Sequence, residues 1–370
     1  MTAAELIAQA AKRLSDAGVP EPELDAKILF LEAFHMDQVH FLMNRMRPLT
    51  EEQRAQQETY EAMIDRRSAR VPLQQILGSQ EFMGLTFRVT PDVLIPRQDT
   101  ETLVEQVLQE QKDPDIRLLD LCTGSGCIAI SLAVMGGYRD VTAADLSEAA
   151  LKVAAENADH LLQERWKEGC RFTLRRGDLF EALKPGERFD VLTSNPPYIP
   201  TEVVRGLEPE VKDHEPWMAL DGTEDGLAFY RRIAHESKAW LNPGACIYLE
   251  IGYDQGEAVS RLLEAAGFCN IEVIKDLPGL DRVVRAEIKK WKAGNNILTF
   301  WAYDDGSSFI PTSYPVENIR IVDGIHFGFD KILKKVGNHE ELTNHEKEFI
   351  NRIEHEKPDC LAYHSEARAG

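Results

Sequence analysis

Two short segments carry residue types that can do chemistry. The first is Asn195-Pro196-Pro197-Tyr198. An amide or aniline-like nitrogen is a poor nucleophile because its lone pair is delocalised into a π system. The Asn195 side-chain oxygen and the Pro196 carbonyl can each accept one N–H hydrogen bond from such a nitrogen. Those bonds orient it and stabilise the positive charge that develops as it is methylated. Pro196 and Pro197 restrict the backbone and preorganise both acceptors. Tyr198 offers a ring on which a planar substrate group can stack. An in-line displacement takes much of its rate from alignment, and no strong base is needed before transfer. The plain alternative is an ordinary Pro-Pro loop.

The second segment is Asp120-Leu121-Cys122-Thr123-Gly124-Ser125-Gly126. It joins a short apolar run to an apolar helix, and a glycine-rich turn there lets a ligand approach the backbone closely. Asp145 ends the next apolar run, about 20 residues on, where a carboxylate can accept from both hydroxyls of a ribose. Gly124, Gly126 and Ala129 also satisfy the dinucleotide fingerprint, so the turn alone leaves a hydride-transfer enzyme open. Asp120 favours S-adenosylmethionine. A carboxylate just before the turn suits a cationic sulfonium and amino group and would sit badly beside a pyrophosphate. Asp178 follows Phe172-Thr173-Leu174 and has two readings: a partner for an adenine amino group, or the N-cap of a helix starting at Leu179.

These segments need elements to hold them. From 101 onward, the short apolar runs Leu118 to Leu121, Val141 to Ala144, Phe172 to Leu174, Val191 to Thr193 and Cys246 to Ile251 alternate with helical stretches. That pattern predicts an α/β fold with a mostly parallel sheet covered on both faces. Ligands then bind outside the carboxyl ends of the strands, which places Asn195 beside the glycine turn. Ile271 to Ile274 and Arg282 to Ala286 form a closing antiparallel pair. Residues 1–70 read as a small helical bundle, with Leu6, Ile7, Ala10 and Leu14 on one face, a sandwiched run from Leu24 to Phe34, and a Thr50–Gln53 capping box. Residues 71–100 are a connector with a hairpin at Phe82 to Val89. Residues 101–286 are the catalytic domain. Residues 287–370 are a separate α+β appendage, with strands at 297–303 and 319–322 and helices at 329–336 and 344–356.

The formal net charge of −20 opposes tight binding to a phosphate backbone, so nucleic acid is not expected as the direct substrate. The six cysteines contain no CxxC pair. Five of the ten histidines lie in the appendage, at 326, 339, 345, 355 and 364, without metal-ligand spacing, and no metal site is expected. No apolar run approaches the roughly 20 residues that span a bilayer, and nothing resembles a signal peptide. A cytoplasmic protein without membrane contact is expected.

Over residues 1–286 the chain resembles the protein-glutamine N5-methyltransferases that modify the Gly-Gly-Gln loop of peptide-chain release factors. The segments that carry the resemblance are 120–126, Asp145-Leu146-Ser147, 195–200, Gly78-Ser79-Gln80-Glu81-Phe82, Ile95-Pro96-Arg97-Gln98-Asp99-Thr100-Glu101 and the 276–284 hairpin. The 78–101 stretch discriminates best, because amino-methylating DNA enzymes share the Asn-Pro-Pro-Tyr motif. The resemblance implies a Rossmann-like class I methyltransferase domain with a seven-stranded sheet and an N-terminal domain that docks the release factor. It implies cofactor contacts at Cys122 to Gly126, Asp145 and Asn195. Cys122 stands where the family has a small glycine, Leu179 where it often has an aromatic, and Gln98 where it often has proline. These changes are expected to tune binding without abolishing it. The competing expectations are adenine amino methylation in nucleic acid, glutamine methylation of a ribosomal protein, and a cofactor-binding adaptor without turnover.

Overall fold

Thr2 opens the first helix with a capping box: its hydroxyl accepts from the Glu5 N–H, and the Glu5 carboxylate accepts from the Thr2 N–H at 2.8 Å. The computed structural model describes residues 1–289 and, beyond them, the two strands 297–304 and 308–315. The helices of the N-terminal bundle are α1 (Ala3–Asp16), α2 (Pro22–Ala33), α3 (Gln38–Asn44), α4 (Glu51–Ser68) and α5 (Leu73–Leu77). The Thr50–Gln53 capping box forms as the spacing predicts. Leu14, Leu29, Phe30, Tyr60 and Ile64 build the bundle's core. The Tyr60 hydroxyl donates to the Ala26 carbonyl at 3.0 Å, which satisfies it in an apolar setting. Leu24 departs from the sandwiched pattern and is exposed.

A hairpin follows, β1 (Ser79–Phe82) against β2 (Leu85–Arg88). Its two turn residues, Met83 and Gly84, both have positive φ, +50° and +70°. That conformation matches the strand twist in a two-residue hairpin.

The α/β region runs α6 (Gln98–Glu110), β3 (Arg117–Leu121), α7 (Cys127–Met135), β4 (Asp140–Asp145), α8 (Glu148–Leu161), α9 (Gln163–Lys167), β5 (Arg171–Arg176), β6 (Phe189–Ser194), α10 (Thr201–Val204), α11 (Pro209–Lys212), α12 (Ala228–Glu236), β7 (Leu241–Glu250), α13 (Gly256–Ala265), β8 (Cys269–Lys275) and β9 (Asp281–Glu287). The sheet order is β5-β4-β3-β6-β7-β9-β8. The pairs from β5 to β7 are parallel, and β9 pairs antiparallel with both β7 and β8. This is the mostly parallel seven-stranded sheet with a closing antiparallel pair that the sequence predicts.

Alternate side chains feed opposite faces, as strand geometry requires. Leu118, Val191, Tyr248 and Val283 join one core; Leu119, Leu192, Ile247 and Val284 join the other. From β3 the chain steps outward through β4 and β5, then returns to β3's other side with β6 and continues to β7. The order therefore reverses between β3 and β6. A crevice opens at such a reversal, at the carboxyl ends of the strands.

The chain divides into two units, Met1–Lys289 and Lys290–Gly370. In the second, β10 (Ile297–Asp304) pairs antiparallel with β11 (Ser308–Pro315), Asp304 facing Ser308. The expected strand at 319–322, the helices at 329–336 and 344–356 and the five histidines lie outside the described residues.

Candidate active site

A cavity of about 370 Å³ lies at that reversal point, within the range of small-molecule sites. Its wall includes Cys122, Thr123, Gly124 and Ser125 after β3, Asp145 at the end of β4, Asp178 and Leu179 after β5, and Asn195 and Pro197 after β6. Four consecutive strand ends thus contribute to one site. Asp120, Gly126, Pro196 and Tyr198 do not line it.

The glycine turn is held from below and from the side. The Gly126 φ is +82°, and a Cβ there would sit 2.9 Å from Ile130 Cδ1 and 3.3 Å from Ala154 Cβ, so the turn closes only with glycine. A Cβ at Gly124 would meet nothing within 4 Å, so the space beside it is open. Cys122 has a φ of +58°, a left-handed conformation that disfavours any side chain. Glycine would adopt it without that strain. Burial pushes the Cys122 thiol up, with Asp145 adding to the effect. Asn157 on α8 pins the turn: its Nδ2 donates to the Ser125 carbonyl at 2.9 Å, and its Oδ1 accepts from the Arg88 N–H at 2.7 Å. A buried asparagine on the otherwise apolar stripe Ala150, Val153, Ala154, Ala158 was the available sequence signal.

Asp145 accepts from the Gly124 N–H and the Ser147 N–H, each at 2.9 Å. Burial raises its pKa, and these backbone donors oppose the rise. The carboxylate sits on the cavity wall at a strand end, the place that suits a ribose diol.

Asp120 corrects its sequence reading. Strand alternation turns it on to a sheet face, wholly buried, away from the cavity. It faces its register partner Thr193, whose hydroxyl donates to Asp120 Oδ1 at 2.8 Å. Oδ2 has no partner among the described residues. Burial pushes Asp120 up to about 7, while the Thr123 and Thr193 hydroxyls pull it down. In place of contact with the cavity, Asp120 makes a side-chain bond across β3 and β6.

Asp178 makes neither side-chain cap nor a free acceptor pair. The 3-10 turn Leu179–Ala182 has no side-chain cap. Both Asp178 oxygens instead accept from Arg232 Nη1, at 2.8 and 2.9 Å. An ionised carboxylate keeps further lone pairs, so the group can still accept from the cavity side. Leu179 is buried on the wall with a φ of +50°.

In the Asn-Pro-Pro-Tyr segment, Asn195 Nδ2 donates to Thr100 Oγ1 at 3.3 Å. With its NH2 directed there, the carboxamide presents oxygen on its other branch. Tyr198 is again a correction. Its ring packs against the core, and its hydroxyl donates to Glu250 Oε1 at 3.5 Å. It supports the loop from behind; it does not offer a stacking face on the cavity. Gln255 fixes the segment's far end, donating to the Tyr198 carbonyl at 3.0 Å.

The sequence reading missed the opposite wall. Arg97 and Thr100 at the start of α6, and Pro216, Trp217 and Met218 in the segment before α12, complete the cavity. Arg97 pairs with the buried Glu215. Burial raises the Glu215 pKa and Arg97 opposes it. Arg97 and Thr100 lay within the stretch 95–101 that carried the resemblance. An exposed Trp217 after a proline was the remaining signal.

The residues fit S-adenosylmethionine: open space beside Gly124, the Asp145 carboxylate on the same cavity wall, and an apolar Leu179 side. Among the described residues, no helix is long and apolar enough to cross a membrane.

Two family models match this chain, the PrmC N-terminal domain over residues 5–78 and the methyltransferase small domain over residues 98–205. A release factor glutamine methyltransferase of Geobacter sulfurreducens is 42% identical over 275 residues, 74% of this chain and 93% of the relative. Another, of Cereibacter sphaeroides, is 43% identical over 288 residues, covering 78% and 99%. A solved release-factor-specific protein-(glutamine-N5) methyltransferase from Alicyclobacillus acidocaldarius is 35% identical, with 55% of this chain and 99% of that one covered and a TM-score of 0.33. With two curated relatives matched at this identity along almost their whole length, the chain belongs to the release factor glutamine methyltransferase family.

Proposed function

We propose that this protein methylates the side-chain amide nitrogen of the glutamine in the Gly-Gly-Gln loop of peptide-chain release factors. S-adenosylmethionine is the methyl donor, supplying an electrophilic methyl group when bound. The observation that carries the reading is the Asn195 carboxamide, anchored by its nitrogen on Thr100 and lining the same cavity as Asp145 and the glycine turn.

Each residue has a role in this reading. Cys122, Thr123, Gly124, Ser125 and Gly126 form the turn against which the donor lies. Asp145 accepts from its ribose hydroxyls, and Asp178 and Leu179 flank its adenine. Asp120 bonds Thr193 across β3 and β6. Asn195 Oδ1 and the Pro196 carbonyl accept the two N–H bonds of the substrate amide, which fixes its nitrogen and stabilises developing positive charge. Pro197 and Tyr198 hold the backbone that carries those acceptors. The extra proton on the methylated nitrogen is acidic and leaves to solvent.

In this reading residues 1–70 dock the release factor, 71–100 connect, 101–286 transfer methyl, and 287–370 form an appendage outside the reaction. The net charge of −20 favours a protein substrate over nucleic acid, and the cytoplasm is where release factors work. The test is incubation of the purified protein with labelled S-adenosylmethionine and a release factor, with the methyl mapped by mass spectrometry. Label on the loop glutamine is expected. An unmodified loop, with label appearing on adenine in DNA or on a ribosomal protein, would overturn the assignment.

A further inference from the structure

The reaction as described leaves the exposed rim of the cavity without a role. Two large apolar side chains stand there in solvent, Trp217 at 42% exposure and Met218 at 48%, and both line the cavity. A lone exposed apolar residue needs no explanation, but an adjacent pair at the mouth of a site does. A loose ring would swing clear of the opening, and this one is tied. Its Nε1 donates to Asp221 Oδ2 at 3.1 Å. The Asp221 carboxylate also accepts from the Thr201 hydroxyl at 2.7 Å and from the Thr223 N–H at 2.9 Å. Those donors, Thr201 first, hold its pKa below the usual carboxylate range, so the anchor is charged at neutral pH.

The backbone that carries the ring belongs to the Asn195 side of the cavity. The Ile199 N–H donates to the Leu220 carbonyl at 3.0 Å, and the Gly222 N–H donates back to the Ile199 carbonyl at 2.8 Å. Ile199 thus bridges in parallel to Asp221, directly after Asn195-Pro196-Pro197-Tyr198. A Cβ at Gly222 would sit 2.8 Å from Tyr198 Cα, so the two segments meet backbone to backbone. Just before the ring, Glu215 pairs with Arg97 at the start of α6. Leu146, also exposed on the rim, follows Asp145 and belongs to the donor's side.

A glutamine amide stands two methylenes from its own backbone. When it reaches Asn195, that backbone must lie across the mouth of the cavity. In the proposed substrate the residues before the glutamine are glycines, which have no Cβ to hold the chain off a flat surface. We propose that Trp217 is a substrate-binding residue: its indole face is the platform on which the backbone of those two glycines lies while the glutamine amide is held at Asn195. This rests on the reading of a Gly-Gly-Gln loop as the substrate.

The residue type suits that task. An indole offers a large contact area and has few torsions to freeze, and the Asp221 bond has already fixed this one. Covering the ring removes apolar surface from water, a gain that is not collected until the substrate arrives. Met218 beside it is flexible and can fill what the flat ring leaves open. A side chain in place of either glycine would lift the backbone off the ring and pull the glutamine amide back from Asn195. The platform therefore selects against other sequences as well as gripping this one.

The test compares Trp217→Ala and Trp217→Phe with the parent in the full chain, on a release factor and on the same release factor with valine in place of the glycine next to the target glutamine. Cofactor affinity is measured by calorimetry alongside kcat/KM. Trp217→Ala is expected to lower kcat/KM for the release factor about 10- to 30-fold, the loss of an aromatic anchor at an interface, with the S-adenosylmethionine Kd within about twofold of the parent. Trp217→Phe keeps a flat ring and is expected to stay within about threefold. The valine substrate is expected to cost the parent at least about fivefold more than it costs Trp217→Ala, because only the parent has a ring for valine to strike. A ring that merely held its own loop would show no such coupling. The proposal is overturned if Trp217→Ala keeps the parental kcat/KM, if its S-adenosylmethionine Kd weakens as much as kcat/KM falls, if Trp217→Phe falls as far as alanine, or if valine costs parent and variant equally. Should Trp217→Ala not fold, Trp217→Leu, apolar but not flat, takes its place in each comparison. A parent protein inactive on release factors, or an Asn195→Ala variant that turns over normally, would instead remove the underlying reading of the site and this proposal with it.

Discussion

Replacing Thr193 with valine should destabilise the protein more at high pH than at low pH. The reason is the Asp120 carboxyl, wholly buried between β3 and β6 and pushed from 3.8 up to about 7 by desolvation. Between those values the unfolded chain gives up this proton and the fold keeps it. The stability contribution of Asp120 is therefore full below its unfolded pKa and is lost as pH rises through about 7. Thr193 limits that loss, because its hydroxyl donates to Oδ1 at 2.8 Å and favours the charged form. Valine keeps the shape and removes the donor. The folded pKa then rises further, and the loss continues to higher pH at about 1.4 kcal/mol per pH unit until the new pKa is passed. A hydrogen bond to a charged group is worth about 1.5–3 kcal/mol, so about 2 kcal/mol is expected near pH 8.5, where the parent carboxyl is ionised. Near pH 5.5 the carboxyl is protonated in both folds, and only a neutral hydrogen bond is lost, about 1 kcal/mol or less. Urea unfolding of both proteins at the two pH values measures the difference as a shift in midpoint at unchanged slope. Equal destabilisation at both pH values, or a larger effect at the acidic one, would refute a buried, hydroxyl-steadied carboxylate.

Gly226→Ala should lower kcat about 100-fold by displacing the Asn-Pro-Pro-Tyr backbone, because its Cβ would overlap the Tyr198 carbonyl oxygen and lie 2.7 Å from Gln255 Nε2, at a φ of +73°. Steady-state kinetics beside a thermal melt checks this, and a parental kcat counts against the loop's rigidity. Cys122→Gly should stabilise the fold by about 1 kcal/mol through relief of the left-handed conformation, read as a rise in Tm of about 2–4 °C; a fall would mean that the packing of the thiol outweighs the strain. Asp145→Asn should raise the S-adenosylmethionine Kd about 10- to 100-fold, the loss expected for one charged hydrogen-bond acceptor. Calorimetry measures it, and an unchanged Kd would remove Asp145 from the ribose.

What was legible in the sequence was what depends on period and position. The strands from Leu118 to Ile251 announced themselves as apolar runs. The carboxyl-end rule then placed Asn195 beside Gly124. What was not legible was facing. Asp120 and Tyr198 sit in the right segments, yet strand alternation turns Asp120 into the sheet, and packing turns Tyr198 toward Glu250. A one-residue difference in position decides such a question, and a motif does not state it. The wall from Trp217 was missed for another reason: its segment has no long regular element, only the short helices α10 and α11 and the 3-10 turn Trp217–Ala219. It is fixed by contacts with residues more than a hundred positions away.

Those contacts join the helical bundle to the site. Arg67 on α4 has its side chain 5% exposed and bridges Asp25 on α2, at 2.7 Å, to Glu210 on α11, at 2.9 Å. Arg70 reaches Glu210 through two bonds of 2.6 Å, and Gln75 donates to the His214 carbonyl at 2.9 Å. Next in the chain, Glu215 holds Arg97, and Trp217 and Met218 line the cavity. Buried ion pairs of this kind add little net stability over apolar packing, because desolvation offsets their attraction. They do fix geometry, since a guanidinium fork engages a carboxylate in few orientations. The ionic set therefore serves register better than stability: it ties the bundle proposed to dock the protein substrate to the cavity wall that holds Trp217 and Met218. A substrate docked on α1–α5, as proposed, would be held in the frame of Asn195, and alignment is what an in-line methyl transfer to a weak nucleophile most requires.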